Sequence, residues 1–316
     1  MMLIRASIGS LAELDLIDAS FDAKPTTCYL LQYSAKGCGA SCLFCPQSSS
    51  NIASKELVSR IPWPIIELET LINKIGKGNF SRICLQTVLK EDFDKEAIFI
   101  TRTLNEAGLQ VPISIGTTPV SEETLYEFYS QGVDFIGVGL DIASSRLFEQ
   151  MKKPFKVDDM WNFIKKCIKI FNYNHVYVHL IYGLDENDIE FALTMEKIYD
   201  MGAEVALFSF TPVKGTPLAH LKQPEIEKYR LMQIIRYFLS KNYKLKDIIN
   251  IEKNQLKLKI NIEVNEIKTA FLTSGCPSCN RPFYNERPTK IYNYPSNPLL
   301  DKEIQTIVYQ IKKLLT

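Results

Sequence analysis

The sequence predicts an α/β fold: a partial (β/α)6 barrel, TIM-like, followed by a cysteine-containing C-terminal extension. Three observations lead there. Short β-rich runs alternate with segments of helical period, the alternation repeats six times, and 316 residues with 46% apolar side chains can bury one such core with modest extensions. Strand–helix alternation of this kind folds as parallel strands joined by right-handed crossovers.

The candidate strands are residues 28–33, 83–88, 112–117, 135–140, 176–183 and 205–211. Helical period marks 64–75, 95–107, 121–131, 157–171, 189–201 and 224–239. In 157–171, Val157, Met160, Trp161, Ile164, Ile168 and Phe171 fall on one face. Residues 1–25 read as an N-terminal extension, 26–242 as the barrel, and 243–316 as the C-terminal extension. Within the last, 244–264 suggests one or two added strands, and 273–298 is rich in Pro, Cys and Asn with little helical character. An amphipathic helix at 301–315 closes the chain. No internal repeat or low-complexity segment is present.

The formal charge of +1 and the absence of a basic stripe or amphipathic anchor argue against nucleic-acid and membrane surfaces. Arg5, Glu13, Asp15 and Asp18 interrupt the N-terminus, so no signal peptide is expected. No window approaches the ~20 apolar residues of a membrane helix. The expected location is cytoplasmic, where thiols stay reduced and eight cysteines need a reason other than disulfides.

Gly37-Cys38-Gly39-Ala40-Ser41-Cys42-Leu43-Phe44-Cys45-Pro46 follows the first strand. Three thiolates within eight residues can wrap one face of a [4Fe–4S] cubane, and the missing fourth leaves one iron open to chelate the amino and carboxyl groups of a small molecule. Zinc would want four protein ligands, and none of the three histidines is near. Cys276-Pro277-Ser278-Cys279 is less specific: zinc, a cluster or a redox pair all suit a lone C-x2-C. Cys28 and Cys84, on the first two strands, could complete a set with it, if the tail folds under or into the barrel. At ~3.3 Å per residue, Cys28 lies on the order of 17 Å below the end of its strand, which would put a second cluster across the cavity from the first. Cys167, at the edge of an apolar helix face, reads as a core residue.

The C-x3-C-x2-C loop, with Phe44 just before its last cysteine, resembles the signature of radical S-adenosylmethionine (SAM) enzymes. His179-Leu180-Ile181-Tyr182-Gly183-Leu184-Asp185-Glu186 resembles that family's G-x-I-x-G-x-x-E adenine-binding segment, with His179 where the family has Gly. The resemblance implies a radical SAM barrel, a [4Fe–4S] cluster on Cys38, Cys42 and Cys45, and SAM bound near Phe44, Gln86, Ser114, Asp141, Ile181, Gly183 and Glu186.

Ser81-Arg82-Ile83-Cys84 resembles strand two of biotin synthase, but that family's other cluster cysteines correspond here to Pro112 and Tyr177, and its asparagine-rich substrate motif is missing. Thr26-Thr27-Cys28-Tyr29-Leu30-Leu31-Gln32-Tyr33, Ile83-Cys84-Leu85-Gln86-Thr87 and Thr273-Ser274-Gly275-Cys276-Pro277-Ser278-Cys279-Asn280-Arg281-Pro282-Phe283-Tyr284-Asn285-Glu286-Arg287-Pro288 look like the two-protein lipoyl synthase. The cysteine triplet and Arg-Ser-Ser motif of the single-chain lipoyl synthase are absent. This resemblance implies sulfur insertion at C6 or C8 of an octanoyl chain on a lipoyl-carrier protein. It further implies an auxiliary [4Fe–4S] cluster on Cys28, Cys84, Cys276 and Cys279 as sulfur donor, a homologous second component, and an electron donor of ferredoxin or flavodoxin type. Arg281, Glu286 and Arg287 are expected chiefly to form an ion pair tying the tail down. The competing readings are a radical SAM enzyme with another substrate, including biotin-like sulfur insertion, and a non-catalytic iron–sulfur or zinc scaffold.

Overall fold

Six parallel strands stand side by side in chain order in a computed structural model that describes residues 2–315. Met1 and Thr316, the outer ends of the two extensions, lie outside the described residues. The chain opens with β1 (Leu3–Ala6) and α1 (Ile8–Glu13), then enters the barrel at β2 (Thr27–Gln32). The cysteine loop follows, then a two-stranded hairpin of β3 (Leu57–Val58) and β4 (Ile61–Pro62), and then β5 (Ile65–Glu67) and α2 (Leu68–Ile75). The barrel continues as β6 (Arg82–Gln86), α3 (Phe93–Glu106), β7 (Ile113–Thr117), α4 (Glu122–Ser130) and β8 (Val133–Asp141). It completes as α5 (Ser145–Gln150), α6 (Val157–Phe171), β9 (Val176–Tyr182), α7 (Asp188–Asp200), β10 (Glu204–Ser209) and α8 (Ile226–Leu239). Strands β2, β6, β7, β8, β9 and β10 run parallel to one another, which is the expected (β/α)6 arrangement.

Alternation along each strand decides what faces the helices. Leu30, Ile83, Leu85, Ile113, Ile115, Ile136, Val138, Val178 and Leu180 are at most 2% exposed and form one core with the inner faces of the helices. Helix starts follow local chemistry: the Ser121, Ser144 and Asn187 side chains accept hydrogen bonds from the first backbone N–H groups of α4, α5 and α7.

Two expectations need correction, and one element adds to the sheet. Residues 65–67 are a strand, not the start of a helix; Pro64 and the β-branched pair Ile65–Ile66 favour extended backbone, and β5 pairs antiparallel with β1. The N-terminal extension is part of the sheet, since β1 pairs antiparallel with β2 and covers the barrel's first edge. The closing helix is two helices, α10 (Asn297–Lys302), with Pro298 in its first turn, and α11 (Ile304–Leu315), while α9 (Leu245–Ile248) precedes them.

The extension holds the expected added strands, the antiparallel hairpin β11 (Ile249–Glu252) and β12 (Gln255–Leu258). The remaining tail packs on α8 through Ile234, Phe271, Tyr294, Leu300, Ile307 and Ile311. Arg230 fastens it: its guanidinium donates to the carbonyls of Ile291 and Tyr292 and to the Gln233 and Gln310 side chains. No described helix is long and apolar enough to cross a membrane.

Candidate functional site

The cysteine loop sits where β2 ends. Cys38 N–H donates to the Gln47 carbonyl at 2.6 Å, Gly39 N–H to the Leu89 carbonyl at 2.6 Å, and Leu89 N–H to the Cys38 sulfur at 3.2 Å. The Lys55 ammonium donates to the carbonyls of Pro46, Ser48 and Asn51 and to the Asn51 side chain, lacing the loop from beneath. Burial pushes the Cys42 thiol up to about 11 and Cys45 up to about 12, each raised further by the other loop thiols. These side chains therefore become thiolates only when iron takes the place of the proton. Among the described residues no three of His, Cys, Asp and Glu are gathered on one metal ion. A cubane with one thiolate per iron asks for a wider spacing, and three thiols with a backbone N–H aimed at one sulfur fit it.

Inside the barrel, the strands' inner faces enclose a cavity of about 210 Å³. Gln86, Ser114, Asp141 and Ile181 line it. Asp141 is held by Lys153, 2.6 Å away, both side chains largely buried (18% and 5% exposed). Lys153 also lies 6.0 Å from the centre of the Phe44 ring. Phe44, Gly183 and Glu186 do not line the cavity. The Glu186 carboxylate instead accepts hydrogen bonds from Gly183 N–H at 2.6 Å and Leu184 N–H at 2.7 Å, shaping the turn that ends β9.

The tail closes the opposite end. The Ser278 carbonyl accepts from Thr26 and Thr27 hydroxyls, and Arg82 Nε donates to the Pro277 carbonyl while its guanidinium forks onto Asp134 at 2.5 and 2.8 Å. Thr27 and Arg82 begin their strands, so Cys276 and Cys279 enter the lumen from the end away from the first cysteine loop. Both line the cavity together with Cys84. Burial pushes Cys84 up to about 11, and raises Cys276, with the neighbouring thiols adding to both.

Cys28 does not join them. In the β2–β6 register Tyr29, not Cys28, lies beside Cys84, and Cys28 lies beside Ile83. Successive side chains point to opposite faces, so the Cys28 thiol is buried in the core between sheet and helices, beside Ser10. Cys167 is likewise a core residue, as expected.

Several lumen residues carried no usable signal in the sequence. Tyr29, Trp63 and Tyr284 form an aromatic wall with ring centres 5.0 to 6.5 Å apart. His179 lines the cavity against Phe208, and burial pushes its imidazole down to about 4, so it is neutral near pH 7. Arg281 does not pair with Glu286, contrary to expectation; it lies over the Phe208 ring at 4.0 Å with Nη1 3.2 Å from the Cys279 sulfur. Glu286 instead bonds Asn293 and the Asn285 backbone.

Residues 33–198, just over half of the chain, match the family model for the radical SAM superfamily. Among solved structures, a methylornithine synthase is similar at 16% identity, covering 72% of this chain and 67% of that one, with TM-score 0.54. The [FeFe]-hydrogenase maturase HydG is similar at 10% identity and TM-score 0.54, covering 68% of this chain and 49% of its own, so the chain spans about half that maturase's length. The HydG of Carboxydothermus hydrogenoformans gives 10% identity and TM-score 0.50, with 75% and 56% covered. These likenesses concern the fold; no curated protein sequence matches the chain. With the three-cysteine loop at the mouth of a six-stranded parallel barrel, the chain belongs to the radical SAM superfamily.

Proposed function

We propose that the chain is one component of a two-protein lipoyl synthase, a radical SAM enzyme adding sulfur at C6 or C8 of an octanoyl chain carried on a lysine of a lipoyl-carrier protein. A homologous second component adds the other sulfur, and a ferredoxin- or flavodoxin-type protein delivers electrons to the Cys38 loop. The observation that carries this reading is the convergence of Cys84, Cys276 and Cys279 on one cavity that Gln86, Asp141 and Ile181 also line.

When bound, a reduced [4Fe–4S] cluster on Cys38, Cys42 and Cys45 together with SAM supplies hydrogen-atom abstraction, and a second cluster on Cys84, Cys276 and Cys279 supplies sulfide. The chain's own residues do the rest. Asp141, anchored by Lys153, offers carboxylate oxygens to ribose hydroxyls. Neutral His179 adds no positive charge beside a sulfonium. Tyr29, Trp63, Tyr177 and Phe208 give the lumen apolar walls that suit an alkyl chain and keep water from its reactive carbon. The tail, stitched to Thr26, Thr27 and Arg82, sets the depth at which Cys276 and Cys279 meet that chain.

The test is anaerobic turnover of reconstituted protein with SAM, dithionite and an octanoylated carrier protein, read by intact mass and by 5′-deoxyadenosine. The expected result is a carrier bearing one sulfur, or two with the second component present. SAM cleavage without sulfur on the carrier would assign a different substrate, and no SAM cleavage would return the chain to the scaffold reading.

A further inference from the structure

Arg281 makes no close ion pair with a carboxylate among the described residues, and Glu286 acts on it only electrostatically. Its Nη2 donates to the Ser274 carbonyl at 2.9 Å, its Nη1 to the Cys279 sulfur at 3.2 Å, and its plane covers Phe208. Lysine could not do all three at once; the planar fork serves two acceptors while stacking on a ring. The backbone is arranged to hold it there. The Tyr29 hydroxyl accepts from both Asn280 N–H and Arg281 N–H, at 2.9 and 2.8 Å, and Arg281 itself takes the left-handed conformation, φ 35°. Gly275 supplies the space. A Cβ there would stand 3.0 Å from Arg281 Nη1 and 3.1 Å from the Cys279 sulfur, so any side chain would wedge between the two.

Building a charged residue into a cavity wall costs free energy unless an anion meets it. Here the Cys279 thiol meets it directly, the Tyr29 hydroxyl and the Glu286 carboxylate act on it as well, and Cys84 and Cys276 line the same cavity. Three thiolates on a cluster leave net negative charge, and hydrogen bonds to sulfur together with nearby charge are what set a cluster's potential.

Resting on the reading of Cys84, Cys276 and Cys279 as ligands of a second cluster, we propose that Arg281 is that cluster's charge partner, holding its reduction potential up through the cation and the N–H···S bond to Cys279. It is a positioning and tuning residue, not a ligand. A guanidinium has five N–H donors and no lone pair to offer iron.

The test uses the full chain with Cys38, Cys42 and Cys45 replaced by Ala, reconstituted anaerobically so that only the second cluster remains. Iron and sulfide content and an EPR-monitored reductive titration are read with Arg281, Arg281→Lys and Arg281→Gln. The expected result is full iron in all three, a potential in the Lys variant near that of the parent, and a shift to more negative potential in the Gln variant. Gln with full iron and an unshifted potential overturns the proposal while leaving the cluster reading intact. If Gln loses iron, the Lys variant decides: full iron there supports a charge requirement, and loss there too makes Arg281 a ligand or a structural strut and overturns it. A parent protein without iron overturns the cluster reading itself, and the role of Arg281 with it.

Discussion

Gly37 and Gly108 both have positive φ, 79° and 69°, yet their surroundings differ, and the difference predicts two distinct losses. A Cβ at Gly108 meets nothing within 4 Å. Gly108→Ala therefore pays only the left-handed penalty of about 1 to 2 kcal/mol, partly offset by about 0.4 to 1 kcal/mol from a stiffer unfolded chain. For a chain of this length that is a fall in Tm of roughly 1 to 2 °C. A Cβ at Gly37 would stand 2.5 Å from the Gln47 carbonyl oxygen and 3.1 Å from the Lys55 side chain. That oxygen is the acceptor of Cys38 N–H, and Lys55 laces the same loop. Adding about 1 to 3 kcal/mol of overpacking brings Gly37→Ala to about 2 to 4 kcal/mol, which the loop can relieve by shifting Gln47 and with it Cys38. Anaerobic reconstitution should then give about four irons per chain in Gly37→Ala, against about eight in wild type and in Gly108→Ala. SAM cleavage should fall with the iron, while far-UV CD stays unchanged. Wild-type iron in Gly37→Ala, with a Tm loss no larger than that of Gly108→Ala, would refute the argument.

Other substitutions test other joints. Cys28→Ala should leave iron content at the wild-type level and cost about 1 kcal/mol in chemical unfolding, whereas Cys84→Ala should lose the second cluster. Equal iron loss in both would contradict the register. Arg230→Met strands the Ile291 carbonyl, leaves Tyr292 only its Gln233 donor, and should lower Tm by about 4 to 5 °C, for about 3 kcal/mol, as the tail loosens. Burial raises the Glu186 carboxyl to about 7, against the two N–H donors that favour its charged form. A carboxyl raised in the folded state leaves stability untouched below its unfolded value of about 4.5, lowers it as pH climbs from there to about 7, and adds nothing further above. Glu186→Gln removes that slope, so its Tm relative to wild type should rise between pH 5 and pH 8 in thermal melts of the metal-free protein. A pH-independent difference would show that the N–H donors outweigh burial.

Much of the barrel was legible because hydrophobic period and strand–helix alternation are local signals. The start of each barrel strand lies within two residues of its expected position, and α6 matches 157–171 exactly in extent. The first cysteine loop was legible for the same reason, its three thiols lying within eight residues. The second site was half legible. The tail pattern pointed under the barrel, but assigning both Cys28 and Cys84 to it turned on side-chain direction, which strand register decides and composition does not. The placement of Arg281 depended on a loop with left-handed residues at Ser278, Arg281 and Phe283, where no periodicity applies. The Glu186 carboxylate folds back onto its own backbone, because a carboxylate two or three residues past free N–H groups can reach them.

The most direct measurement is iron and sulfide content with Mössbauer spectra on anaerobically reconstituted wild type, the Cys38/Cys42/Cys45→Ala variant and the Cys276/Cys279→Ala variant. We predict about eight irons in wild type and about four in each variant, all as [4Fe–4S] signals. About four irons in wild type, all lost with Cys38, Cys42 and Cys45 and unaffected by Cys276 and Cys279, would contradict a second cluster and leave a radical SAM enzyme without an internal sulfur source.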